Sequence, residues 1–240
     1  MRRVLWSAVV FLALIGSVVA VRRMVHVVPI VLHGYHPPPP ANNPVAAQFS
    51  ALDDLFARYP VLTLIHIVPG LLFMLLGPLQ FSSTIRARHL RWHRWSGRVF
   101  VACGFVIGIS ALVMSFAMPA IGGVNQAAGT TLFGAYFLLA LSRAFWLIRR
   151  REIALHREWM IRAFSIGLAV ATIRPIIGIF FATSRFSGLT PREFFGIAFW
   201  IGFVLHLMAA EIWIHATQSP RRQFEAVRGI YTAKRDSSTA

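Results

Sequence analysis

The sequence predicts an all-α membrane protein, a bundle of six transmembrane helices with both termini cytoplasmic. Three observations carry that expectation. Of 240 residues, 57% are hydrophobic and only 13% charged, whereas a soluble domain is about 45–50% apolar and about 25% charged. Six apolar stretches approach the roughly 20 residues that a helix needs to cross a bilayer. The basic residues fall overwhelmingly in alternate connections between those stretches.

The first span is Val4–Val21, and residues 1–22 form an N-terminal anchor. Arg2-Arg3 ahead of an apolar run also reads as a signal peptide with Ala20 as a cleavage edge. The run is long for such a segment and the cleavage site is poor, so a retained anchor is expected. Residues 23–60 form an external segment containing "HGYHPPPPANNP", whose consecutive prolines favour polyproline II and build no core. His26, His33 and His36 could bind a metal there, at irregular spacing. Residues 61–216 carry the other five spans: Val61–Phe81, Val99–Met118, Ala127–Ile148, Met160–Ala182 and Glu193–His215. Gly77-Pro78 should kink or end the second span. Gly104 and Gly108 form a GxxxG step in the third, which lets helices approach closely. The sixth opens on Thr190-Pro191-Arg192-Glu193, with an N-cap, a first-turn proline and a capping-box glutamate in register. Residues 217–240 are a basic cytoplasmic tail ending in "AKRDSSTA", which is expected to fray.

The net charge of +16 comes from 24 Lys+Arg against 8 Asp+Glu. With the N-terminus inside, eighteen of these cations lie on cytoplasmic segments. Arg22, Arg23, Arg58, Arg185 and Arg192 lie outside, and Arg174 lies within a span. That asymmetry is the positive-inside pattern. The charge therefore reports topology and contact with anionic lipids at the cytoplasmic face, and no nucleic-acid partner is expected. The single cysteine, Cys103, excludes a disulfide framework, a CxxC zinc site and CxxCH haem attachment. No P-loop, GxSxG, HExxH or dinucleotide fingerprint stands where it would need to be.

Ionisable groups within spans are costly, and each is a candidate functional residue. His66 lies near the outer end of the second span, Arg174 in the outer half of the fifth, ahead of Pro175, and His206 near the middle of the sixth. Glu211 lies deeper in that span, either paired with a cytoplasmic arginine or acting as a proton-relay acid. His93 and His156 stand at the cytoplasmic mouths of the third and fifth spans, in the similar stretches "HLRWHRWSGRVF" and "IALHREWMIRAF", flanked by Arg98 and Arg162. Two imidazoles at one depth suit the axial positions of a b-type haem, with arginines for the propionates. His66 and His206, with Arg174 nearby, would form a second site despite their difference in depth. The competing reading makes the doorway residues interfacial anchors that snorkel and bind lipid phosphate. Gln80, just past Gly77-Pro78, is a candidate head-group or ligand contact, and His89 reads as a loop residue.

The stretches "IHIVPGLLFMLLGPLQF", "RARHLRWHRWSGR", "LHREWMIRAF" and "ATIRP", in this order and spacing, resemble the bacterial membrane proteins of the domain-of-unknown-function 2306 family. The resemblance runs from about Pro60 to about His215. It covers His66, Gly77, Pro78, Gln80, His93, Arg94, Gly97, Arg98, His156, Trp159, Met160, Arg162 and Arg174; Leu90 stands where the family's basic loop would carry a proline. The resemblance implies a multi-span fold in a bacterial inner membrane and no established activity. Three functions follow as expectations from the residues. The first is a small redox protein holding b-type haem on His93 and His156 and exchanging electrons with a quinone. The second is a transporter or lipid-handling protein whose outward cavity is lined by His66, Arg174 and His206, with Pro175 in a broken helix. The third is a non-catalytic membrane subunit.

Overall fold

In lipid every backbone N–H and C=O must be satisfied within the segment itself, which turns long apolar runs into helices. A computed structural model describes residues 2–36, 50 and 53–218. It contains α1 (Arg2–His33), α2 (Pro60–Phe81), the short α3 (Ser83–Arg88), α4 (Leu90–Ala117), α5 (Gly123–Arg149), α6 (Ile153–Ser187) and α7 (Pro191–Thr217). All but α3 are long and apolar enough to cross a membrane. No strand occurs among the described residues. The tetraproline stretch and the C-terminal tail lie outside them.

The helices are longer than the hydropathy boundaries. α1 continues past Val21 to His33, so the beginning of the expected external segment is helical. Hydropathy stops at Arg22-Arg23, but the backbone does not. Asp53 meets both guanidiniums, at 2.8 and 2.5 Å, and the helix passes through Pro29. At about 1.5 Å per residue α1 spans roughly 48 Å, well beyond the approximately 30 Å of hydrocarbon. α4 begins at Leu90 rather than Val99, which makes the "HRWSGR" doorway part of a helix. Pro78 lies inside α2, which ends shortly after it at Phe81; Pro175 lies inside α6 and does not break it. His26 and His33 lie on α1. Among the described residues no three His, Cys, Asp or Glu side chains converge to hold a metal ion.

The six long helices pack in the order α1, α2, α4, α5, α7, α6, with α6 closing back onto α1 and also packing across onto α5. α4 and α6 do not touch backbone to backbone. Phe73 fills the centre: fully buried, it stacks on Phe100 with centroids 4.1 Å apart and meets Phe137 edge-on at 5.7 Å. The GxxxG glycines let α5 approach α4. A Cβ on Gly104 would lie 2.7 Å from Leu141, and one on Gly108 would lie 2.5 Å from Leu138. α7 starts as its sequence indicates, with the Thr190 N–H donating to Glu193 Oε2 at 2.8 Å.

The chain returns from α1 to α2 through a polar knot. The Tyr35 hydroxyl donates to Asp54, Arg58 Nε donates to Asp54 Oδ2 at 2.9 Å, and Thr63 Oγ1 donates to the Phe56 carbonyl at 3.0 Å. The hydrogen bond from Tyr35, assisted by Arg58, holds the Asp54 carboxyl below its ordinary 3.8. A depressed pKa means the contact is complete above the unfolded value and is lost as pH falls through the lower native one. Amide-exchange protection over 53–58 is therefore expected to hold from neutrality to about pH 4 and then fall. Asp54→Asn should lose that protection at neutral pH; unchanged protection would remove the carboxylate from the account.

Candidate functional site

The bundle's helices alternate in direction, so one end carries Arg2, the α3–α4 corner, the α5–α6 turn and Thr217. We call it the doorway end, and its opposite the far end. At the doorway end "HLRWHRWSGR" places His93 in the first turn of α4, and Ser96 and Phe100 follow on the same face at helical spacing. "LHREWMIRAF" places His156 in the first turn of α6, one turn before the buried Met160. α2 contributes Gln80, buried on an otherwise apolar face one turn after Gly77.

Gln80 and His93 are in direct contact, and His156 lies within electrostatic reach of His93. The Gln80 amide satisfies its neighbours when its nitrogen faces α4's histidine. It then donates to His93 Nδ1 at 3.2 Å and to the His93 carbonyl at 3.3 Å, while its oxygen accepts from Ser96 Oγ at 2.7 Å and the Gly97 N–H at 3.3 Å. Ser96 Oγ also lies 2.6 Å from the Trp92 carbonyl, so its single hydroxyl hydrogen is shared between that carbonyl and the Gln80 oxygen. On α6, His156 Nδ1 lies 2.9 Å from the Ala144 carbonyl of α5. A carbonyl only accepts, so His156 carries its proton on Nδ1 and leaves Nε2 as a bare lone pair. His93 has the opposite tautomer, because Nδ1 accepts from Gln80 and the proton sits on Nε2. Both imidazoles are half-buried, and they lie within electrostatic reach of each other. Their unengaged nitrogens thus present one donor and one acceptor.

That complementarity fits poorly with a bis-histidine haem, which needs a bare ligating nitrogen on both rings. The expected propionate partners are also placed otherwise. Arg98 is exposed. Arg162 donates from Nε and Nη2 to the two oxygens of Glu211 at 2.6 and 2.8 Å, with Trp159 beneath its guanidinium at 4.9 Å.

His66, His206 and Arg174 are not brought together. His66 Nδ1 meets Ser110 Oγ at 2.9 Å between α2 and α4. His206 Nε2 meets Thr172 Oγ1 at 2.7 Å between α6 and α7. Arg174 lies on α6 towards Arg22, Arg23 and Asp53. A cleft of about 420 Å³ opens at the far end, lined by Asn125, Leu189, Arg192 and Glu193 and by none of these three. Sequence reasoning missed Ser96, Ser110 and Thr172. Ser96 stands one turn after His93 on the same helical face, so spacing alone could have found it. The Ala144 carbonyl leaves no trace in sequence.

Fold and site together define a polytopic α-helical membrane protein with a polar imidazole–amide cluster at one mouth of its bundle. The family described as "Predicted membrane protein (DUF2306)" matches residues 63–214, and the chain belongs to that family. No curated protein and no solved structure gives a significant match.

Proposed function

We propose that this membrane protein binds an amphipathic ligand with a phenol- or hydroquinone-type head at the doorway cluster. The opposite tautomers of His93 and His156, fixed by Gln80 and the Ala144 carbonyl, support that reading. One hydroxyl accepts from His93 Nε2–H and donates to His156 Nε2. A quinone carbonyl can use only the donor. Trp92, Trp95 and Trp159 lie within a turn of the histidines along α4 and α6, and amphipathic rings suit the level where such a head would rest. The arginine asymmetry supports a cytoplasmic doorway end, which gives the ligand access from the inner leaflet.

The test is binding of a short-chain hydroquinone and of its oxidised quinone to the purified protein in nanodiscs, by calorimetry, beside His93→Gln and His156→Gln. The hydroquinone should bind about tenfold tighter than the quinone, the worth of one hydrogen bond. The His156 variant should abolish that preference, whereas the His93 variant should weaken both forms. Equal affinities in all three proteins would overturn the proposal. So would a Soret band in the purified protein that shifts on reduction and is lost in both variants, because the histidines would then be haem ligands. Labelling of a cysteine placed at Arg151, by an impermeant thiol reagent, should succeed in inside-out and fail in right-side-out vesicles.

A further inference from the structure

At the far end, two guanidiniums hold one carboxylate and a third lies within electrostatic reach of them. Arg22 and Arg23 of α1 each hold one oxygen of Asp53, at 2.8 and 2.5 Å. Arg23 is buried and its guanidinium also lies over the Phe56 ring at 4.3 Å. Arg174 of α6 is half-buried. Its charged neighbours are Arg23, Arg22 and Asp53, and it makes no hydrogen bond or ion pair with any described residue. Each oxygen of Asp53 is held by one of the α1 arginines, and no ion pair joins the carboxylate to Arg174. Among the described residues the cluster carries three positive charges and one negative, and one of its cations has no direct partner there.

Depth sharpens the point. Arg23 lies about 32 Å along α1 from Arg2, and Arg174 lies about 32 Å along α6 from Ile153. With hydrocarbon about 30 Å thick, both stand towards the far ends of their spans. Partial burial there raises the cost of unneutralised charge. Guanidiniums are flat forks of N–H donors that match the oxygens of a phosphate two at a time.

We propose that Arg174, with Arg22 and Arg23, forms an anion site that takes a phosphate-bearing group at the far membrane surface. The group is either the head of an anionic phospholipid or a soluble phosphate. Asp53 orients the two α1 arginines, and Arg174 supplies the unengaged fork. This site is separate from the doorway cluster and does not depend on its ligand.

The test follows the thermal unfolding midpoint of the full chain, since a ligand that binds only the folded state raises it. Nanodiscs of phosphatidylcholine alone are compared with mixed phosphatidylcholine–phosphatidylglycerol discs. Pure phosphatidylcholine discs are also compared with and without inorganic phosphate, with chloride as the control at equal ionic strength. The wild-type midpoint should rise with phosphatidylglycerol, with phosphate, or with both. A rise with the lipid alone identifies the lipid head as the source, and a rise with phosphate identifies the soluble anion. Arg174→Gln should lose the response. Arg174→Lys keeps the charge without the fork and should bind about tenfold more weakly, which preserves the comparison if the glutamine variant does not fold. Arg192→Gln, at the same end but outside the cluster, should respond like the wild type. No rise in the wild type, or an equal rise in both Arg174 variants, would overturn the proposal.

Discussion

Arg162→Met, with Glu211 left in place, is expected to destabilise the protein by about 3–5 kcal/mol, the usual consequence of orphaning one member of a buried ion pair. The pair is bidentate, at 2.6 and 2.8 Å, and Arg162 stands about 13 Å along α6 from Ile153. Its side chain is 17% exposed and that of Glu211 36%, but open area at this depth meets lipid, which cannot hydrogen-bond a carboxylate. Removing the arginine leaves Glu211 either ionised without a partner or protonated at a cost. Replacing both residues by apolar ones of similar volume removes the orphan. Arg162→Met combined with Glu211→Leu should therefore unfold within about 1 kcal/mol of the wild type. Reversible unfolding in mixed micelles would measure all three proteins. A single-variant loss below about 1 kcal/mol would mean that the pair is solvated like a surface salt bridge, and its assigned depth would be wrong.

The same pair shows what could be read from sequence. Depth singled out Glu211 as either the partner of a cytoplasmic arginine or a proton-relay acid; that it pairs with Arg162 required α6 and α7 to pack in a particular register. The six spans were legible because hydrophobicity over about 20 residues is an additive property of the chain. The helix ends were not, because a helix crosses the head-group region wherever its polar side chains find partners, as Arg22 and Arg23 do on Asp53. The doorway histidines were found through their repeated surroundings, and Gln80 was singled out without its partner. Their chemistry depends on which ring nitrogen carries the proton. A backbone carbonyl on another helix decides that for His156, and a buried amide decides it for His93. Haem was the natural expectation from two imidazoles at one depth, because tautomers cannot be read from spacing.

Gly77→Ala is the other substitution expected to do large damage, about 2–3 kcal/mol, the upper range for overpacking a filled core. A Cβ at Gly77 would lie 2.1 Å from Phe164 Cε2 and 2.4 Å from Cζ. The ring has little room to retreat: Phe164 is 5% exposed, stacks on Phe81 at 5.1 Å and packs against Phe73 at 5.8 Å. Either α2 must move away from α6 or the phenylalanine cluster must rearrange. Since Gln80 follows one turn after Gly77, displacement of α2 should also weaken ligand binding at the doorway. Trimming the obstacle provides the internal check. Phe164→Leu alone should cost stability through the cavity it leaves, but combined with Gly77→Ala it should be less harmful than the two losses added, with a coupling of about 1–2 kcal/mol. Gly178 supplies the contrast, because nothing lies within 4 Å of a Cβ built there. Alanine at that position of α6 should be neutral or stabilising by up to about 1 kcal/mol, through helix propensity alone. If the two alanine variants behaved alike, α2 and α6 could not approach each other at Gly77 as closely as described.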